Sequence, residues 1–186
     1  MNEVIFNSVK TLRQEGVIAH PTETCYGLAA DIFSKTAITR LYRMKKMPFD
    51  KPVSILVRSL QEAQDYGDFS QIAVKLALKY WPGPLTIVVP RKKIVPYWIN
   101  PGMDSIGIRV SSNKKTRQLI ESFGGPLTTT SANISTEKQA YSVEAFLGQG
   151  LMPDFIIDSG RIADNMPSTI VEVIGDEVKI IRKGGV

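Results

Sequence analysis

Cysteine and histidine are nearly absent, with one of each in 186 residues. A lone Cys25 excludes a disulfide within the chain and fits a reducing compartment. Cys25 and His20 together cannot complete a Cys/His zinc site. One histidine argues against a Ser-His-Asp triad, and no Gly-x-Ser-x-Gly elbow is present. There is no Gly-x-x-x-x-Gly-Lys-Ser/Thr phosphate loop and no Gly-x-Gly-x-x-Gly after a strand. No apolar run approaches the ~20 residues that span a bilayer, and Met1-Asn2-Glu3-Val4 lacks the basic opening of a secretory signal. No repeat, low-complexity tract or linker-like shift in composition divides the chain. The expectation is one soluble, cytoplasmic domain over residues 1–186, off the membrane.

What is present is an ordinary globular composition with a mild basic bias. The 23 Lys+Arg against 18 Asp+Glu leave a formal charge of +5, which favours anionic partners such as nucleotides or RNA. The bias gathers at Lys45-Lys46 with Lys51, Arg91-Lys92-Lys93, Lys114-Lys115 with Arg117, and Arg182-Lys183. Each cluster by itself reads as solvated surface.

Apolar spacing predicts a helix over Val4–Glu15, with Ile5, Val9 and Leu12 inward and Gly16 ending it in left-handed geometry. A short strand follows over Val17–Ala19. Ser34 caps a helix carrying Ala37, Ile38, Leu41 and Tyr42, which must stop before Pro48. After a strand over Val53–Val57, Ser59 and Glu62 form a capping-box pair. A helix over Ser70–Tyr80 buries Ile72, Ala73, Leu76 and Tyr80 and is closed by Pro82. Strands follow at Ile87–Val89 and Ser105–Val110, then a helix over Asn113–Phe123 and a strand over Pro126–Thr130. Ser142 caps a last helix through Leu147, and three strands close the chain near Phe155–Ile157, Thr169–Val173 and Val178–Ile181. The interleaving predicts an α/β fold, an open twisted mixed sheet with helices packed on its faces. The closing strands, with no helix between them, read as antiparallel.

Chemistry concentrates at strand ends. His20-Pro21-Thr22-Glu23-Thr24-Cys25-Tyr26-Gly27-Leu28 places hydroxyls, a carboxylate and a tyrosine between two apolar runs, as either the rim of a polar pocket or an ordinary turn. Thr128 through Ser135 presents hydroxyls and N–H groups suited to phosphate or carboxylate oxygens, or else a capping loop. Arg109, on an apolar strand, needs a partner. A carboxylate in its fork is the best match, and pairing to Asp104 or a distant Glu is the competing account. His20 and Cys25 read as packed residues.

Taken in order, Pro21-Thr22-Glu23-Thr24-x-Tyr26-Gly27-Leu28, Lys45 ahead of Pro48, Trp81-Pro82-Gly83-Pro84-x-Thr86 and Ile108-Arg109-Val110 resemble the YrdC/TsaC family of threonylcarbamoyl-AMP synthases. The match continues through Thr130-Ser131-Ala132-Asn133, Pro167-Ser168-Thr169-Ile170-Val171 and Arg182, in the short form without an added C-terminal domain. The resemblance implies a YrdC-like fold with a concave basic groove. It implies a nucleotidyltransferase making L-threonylcarbamoyladenylate and pyrophosphate from L-threonine, bicarbonate and ATP, for N6-threonylcarbamoyladenosine at tRNA position 37.

Carried over by position, Thr22, Arg109, Ser131 and Ser168 would hold threonine, with Arg109 on its carboxylate. Lys45, Ser105, Asn133 and Arg182 would lie on the ATP side, Lys45 also serving catalysis. Mg2+ would be held mainly through the ATP phosphates, with no protein metal site. tRNA or double-stranded RNA and other tRNA threonylcarbamoylation proteins are the implied partners. Three departures stand out: Met47 where the family places arginine, Ser111 where it places proline, and Thr136 where glycine is commoner. Lys46 is the neighbour that could replace the missing charge. Arg43 to Pro48 also resembles the YciO-like branch, so an RNA-binding paralogue with weak or no adenylate synthesis is the alternative. Carbamoyl-adenylate formation, as in YrdC-like domains of carbamoyltransferases, is a second enzymatic reading.

Overall fold

The computed structural model describes residues 2–186, so Met1 of the N-terminal reading lies outside it. Fifteen elements follow in order: α1 (Glu3–Arg13), β1 (Ile18–Pro21), β2 (Tyr26–Ala29), α2 (Lys35–Met44), β3 (Ser54–Leu56), α3 (Leu60–Tyr66), α4 (Gln71–Tyr80), β4 (Leu85–Pro90), β5 (Ser105–Arg109), α5 (Lys114–Phe123), β6 (Leu127–Ser131), α6 (Val143–Gly148), β7 (Phe155–Ile156), β8 (Thr169–Ile174) and β9 (Glu177–Arg182).

Nine strands form one mixed sheet in the order β7-β1-β2-β6-β3-β5-β4-β8-β9. Side chains alternate across a strand, and neighbouring residues accordingly enter different cores. Ala19, Leu28 and Ile55 join the larger core, while Ile18, Ala29 and Leu56 join a smaller one with Ile5, Leu12, Leu119, Ile120 and Phe123 of α1 and α5. The larger core takes Ala37, Ile38, Leu41 and Tyr42 of α2, Ala73 and Ala77 of α4, and Phe146 of α6. β6 joins the halves of the sheet: Thr128 and Thr129 pair with Ile55 and Ser54, and Thr130 and Ser131 pair with Leu28 and Gly27.

Side-chain oxygens of Asn2, Ser34, Ser59, Ser70, Asn113 and Ser142 accept backbone N–H groups at the six helix starts, each occupying an otherwise orphan donor. Four local expectations change. Glu15, at φ +60°, takes the left-handed position after α1. Gly16 is required for space instead, since a Cβ there would come within 2.5 Å of Thr11 Cγ2. Glu62 does not close a box onto Ser59; it accepts from Arg58 N at 2.6 Å and pairs with the Arg58 guanidinium. In α4 the fully buried residues are Ala73 and Ala77, with Ile72, Leu76 and Tyr80 partly covered. Of the closing strands only β8 and β9 pair antiparallel. β7 lies parallel to β1 and β8 parallel to β4, at opposite ends of the sheet, because residues 158–168 carry the chain across without a helix. No helix among the described residues is long and apolar enough to cross a membrane.

Candidate active site

Strand ends converge on a cavity of about 300 Å³. Its lining comes from the β1–β2 turn (Thr22, Thr24, Cys25), the chain after α2 (Lys45, Met47, Lys51), β3 (Ser54), the start of β4 (Thr86), the end of β5 (Arg109), β6 and its exit (Thr129 to Ser131, Asn133, Ser135), Ser168, Ile170 and Arg182. Seven of the eight residues expected at the site therefore meet in one place. Ser105 is the exception: it begins β5, four residues before Arg109, opposite Pro90 and away from the cavity. At about 3.3 Å per residue that is roughly 13 Å of strand, so Ser105 is not part of this lining.

Lys45 is the C-cap of α2, and its ammonium is buried. Nζ donates to Asn133 O at 2.7 Å and to Ser131 O, leaving its third N–H for the cavity. Burial, with Lys51 adding like charge, lowers its pKa from 10.5 to about 8. Asn133 Nδ2 donates to Ile134 O and Glu137 O at 2.8 and 2.7 Å, and its buried Oδ1 has no partner. Lys46 is exposed, has φ +49° and does not reach the cavity, whereas Met47 forms part of its apolar lining. The cation that lines the cavity along with Met47 is Lys51, whose Nζ donates to Ser135 Oγ at 2.9 Å. Lys51 was visible in the sequence as a member of the Lys45-Lys46 cluster, but only the turn at Pro48 to Lys51 brings it back over the cavity.

Arg109 is 6% exposed. Nε donates to Gly83 O at 3.2 Å, and Nη2 lies 2.8 Å from Glu23 Oε1, out of line for a good hydrogen bond. The competing expectation of a distant glutamate is thus realised, but Glu23 stands behind the arginine and outside the cavity lining. Ser111 Oγ donates to Glu23 Oε2 at 2.5 Å, a bond a proline could not make. Burial pushes the Glu23 carboxyl upward, and Arg109 and Ser111 together outweigh it and hold the group below the ordinary value.

Arg182 reaches back from β9 and donates to Ser168 O and Ser168 Oγ, each at 2.8 Å from Nη2. Burial and the neighbouring Arg109 lower its pKa, so the two guanidiniums act on one another. Cys25 lies where the fields of Arg109, Arg182 and Lys45 all reach it, yet burial dominates and keeps it a thiol. Thr22 lines the cavity with its hydroxyl already engaged. Oγ1 donates to Cys25 O at 2.6 Å and accepts from Thr24 N and Cys25 N, both at 3.1 Å. Its polar role is to shape the turn. His20 sits behind that turn. Thr116 Oγ1 donates to Pro21 O, so His20 Nδ1, 3.0 Å away, carries the proton and Nε2 is unpartnered. Burial lowers its pKa to about 4.

The fold and cavity define an α/β protein in which four cations, Lys45, Lys51, Arg109 and Arg182, line one cavity. The chain belongs to the Sua5/YciO/YrdC family, whose model, described as telomere recombination, matches residues 10–184. It is 36% identical over 164 residues to a protein of Methanocaldococcus jannaschii provisionally named a threonylcarbamoyl-AMP synthase, covering 88% of this chain and 77% of that one. It is 32% identical over 179 residues to the threonylcarbamoyl-AMP synthase of Pyrococcus abyssi, covering 94% of this chain but about half, 52%, of the relative. The crystal structure of P. abyssi Sua5 complexed with L-threonine superposes with a TM-score of 0.91 at 30% identity, over 97% of this chain and 54% of that one. E. coli YciO superposes at 0.87 with 28% identity, over 97% and 88% of the two chains.

Proposed function

We propose that this chain synthesises L-threonylcarbamoyladenylate from L-threonine, bicarbonate and ATP, releasing pyrophosphate, and that the product serves N6-threonylcarbamoyladenosine formation in tRNA. The observation that carries this reading is the charge layout of the cavity: Lys45, Lys51, Arg109 and Arg182 line it and no carboxylate does. Lys45, Lys51 and Arg182 suit a polyphosphate and Arg109 a carboxylate. A relative of the same fold has been solved with L-threonine.

In this reading the threonine carboxylate lies against Arg109, which Glu23 and Gly83 hold in place, and near Ser168, while Arg182, which grips Ser168, serves the nucleotide side. The amine nitrogen forms a bond to carbon dioxide derived from bicarbonate and loses a proton to solvent. A carbamate oxygen attacks the α-phosphorus, and the P–O bond to pyrophosphate breaks. Lys45 donates its remaining N–H to a phosphate oxygen, and Asn133 Oδ1 accepts from a nearby donor of the ligand. Positioning and fixed charge carry the rate, since the step needs no protein nucleophile. Among the described residues no His/Cys/Asp/Glu cluster could hold a metal. Mg2+ would be held mainly through the ATP phosphates and would supply charge neutralisation there. tRNA or double-stranded RNA and the proteins that receive the adenylate are the expected partners, and the buried free Cys25 fits a cytoplasmic setting. The RNA-binding paralogue keeps Met47 and the Arg43 to Pro48 resemblance in its favour, but relatives named as threonylcarbamoyl-AMP synthases at 36% and 32% identity favour the synthase.

The test is incubation of pure protein with ATP, L-threonine, bicarbonate and Mg2+. Threonine-dependent pyrophosphate and a product of threonylcarbamoyladenylate mass are expected. ATP turnover stimulated by carbamoyl phosphate instead, or salt-sensitive RNA binding with no adenylate, would overturn the proposal.

A further inference from the structure

The two edges of the sheet are finished differently. β7 is two residues long and lies beside α1, so it offers little backbone to a newcomer. β9 closes the other end with six residues, Glu177–Arg182, and every one of them is exposed. It pairs antiparallel with β8 after a two-residue turn at Gly175-Asp176. Ile174 lies opposite Glu177, Val173 opposite Val178, Glu172 opposite Lys179 and Val171 opposite Ile180. The closing pair of such a turn exchanges both backbone hydrogen bonds, so Val178 and Ile180 turn their N–H and C=O groups to the free edge. Directly opposed side chains share a face. Val171 and Val173 are buried in the larger core, but Val178 and Ile180, next to them on that face, remain 46% and 55% exposed. The apolar face thus runs one strand past its cover. On the other face, Glu177 and Lys179 form no ion pair among the described residues.

We infer that β9 is a docking edge for a second copy of this chain, joined antiparallel about a two-fold axis through Val178. The side chains of β9 select both that occupant and that register. A two-fold pairing that sets core face beside core face must be centred on Val178, Lys179 or Ile180. Centring on Lys179 puts two like charges directly opposite one another. Centring on Ile180 runs the pairing through the register shift at Ile170/Val171 and draws in Arg182, which is committed to Ser168. Centring on Val178 places Glu177 opposite the partner's Lys179 and Lys179 opposite the partner's Glu177. It also continues the apolar row from Val173 and Val178 into the same two residues of the second copy. About five residues of each strand pair, ~17 Å of edge, and so small an interface makes a weak, reversible dimer. Because the same patch serves both copies, association closes at two. Lys179, which would guard a bare edge, here chooses the partner.

Sedimentation velocity of the 186-residue chain over a concentration series tests this. The mass should rise with concentration from one chain and level off at two. Glu177→Lys sets lysine opposite lysine, so this variant should remain at one chain where the wild type is half dimeric. Lys179→Glu should do the same with the opposite sign. It also meets Glu172 of its own β8, which makes Glu177→Lys the cleaner variant. An equimolar mixture of the two variants should associate again, because each strand then meets the opposite charge at both positions. That rescue separates a lost interface from a misfolded strand, and far-ultraviolet circular dichroism of each variant should match wild type. A wild type of one chain at every concentration, or one that grows past two, would overturn the inference. So would Glu177→Lys dimerising as wild type does, or a mixture that stays monomeric.

Discussion

Glu23 and Arg109 form a nearly buried ion pair, 2.8 Å from Oε1 to Nη2, in which the carboxylate lies behind the guanidinium rather than in front of it. The arginine thus reaches the cavity already compensated, and its orientation is set before any ligand binds. Removing one partner of such a pair leaves the other charge uncovered, at about 3–5 kcal/mol when burial is complete. Glu23 is 17% exposed, so Glu23→Gln should cost about 2–3 kcal/mol in urea unfolding at pH 7. The folded carboxyl titrates below its ordinary value of 4.5, so its stabilisation is present above that pH and lost as pH falls through the folded value. The gap between wild type and Glu23→Gln should therefore be flat from pH 7 to 5 and narrow below about 4.5. A gap that stays constant to pH 3 would show that the pair is not the source.

Arg109→Ala should weaken threonine far more than an ATP analogue. With Nε on Gly83 O and Nη2 buried against Glu23, Nη1 is the nitrogen left for a carboxylate, and one charge-assisted contact of this kind is worth roughly ten- to a hundredfold in affinity. Arg109→Lys should recover little, because one ammonium cannot reach a ligand carboxylate while also meeting Gly83 O and Glu23. Separate titrations of the two ligands read this directly. Equal losses for both would move Arg109 out of the threonine site.

Lys45 should give opposite pH trends for folding and for binding. Its ammonium titrates near 8 in the folded chain and at an ordinary 10.5 when unfolded. Protons are thus held more tightly by the unfolded state, and the stability contribution improves as pH rises between those values. An anion in the cavity needs the charged form. Affinity for a non-hydrolysable ATP analogue should be level to about pH 7.5 and decline above 8, by up to about tenfold per pH unit. Lys45→Met should bind weakly at every pH and show no such step. A step of equal size in the variant would assign the titration to another group.

The helices, the β5 strand and the gathering of Lys45, Arg109, Ser131, Asn133 and Ser168 were legible because each depends on local spacing or an ordered motif. What escaped depends on pairings far apart in sequence. β7 and β8 lie in neighbouring stretches yet join opposite ends of the sheet, and nothing between Ile157 and Ser168 signals that crossing. Ser105 shares a strand with Arg109, but a strand spans the sheet, so its two ends serve different surroundings. Thr22 reads as a free hydroxyl until the turn closes and its own backbone takes it. Lys46 and Lys51 look equivalent as surface charges, and only the direction of the chain after α2 separates them.

Gly184 should be the least replaceable residue of the C-terminal segment. A Cβ there would fall 2.0 Å from Pro167 O, 2.6 Å from Ser168 C and 2.6 Å from Thr169 N. All three are backbone atoms, so no rotamer change can make room. The close approach is used: Gly184 N donates to Thr169 Oγ1 at 3.0 Å, and Gly185 N donates to Pro167 O at 2.9 Å. These bonds flank Ser168, the residue that Arg182 grips through its carbonyl and hydroxyl. Gly184→Ala must therefore push residues 183–186 off the entrance to β8 or shift Ser168 itself. The expected stability loss is about 1–3 kcal/mol, the range for overpacking against a fixed neighbour, which for a chain of this size lowers Tm by roughly 3–10 °C. Threonine affinity should fall with it, because Ser168 lines the cavity. Gly185→Ala is the control, because its nearest neighbour is the Pro84 side chain at 3.6 Å, ordinary contact distance. If both variants lose stability equally, flexibility of the segment rather than the contact at Gly184 governs it.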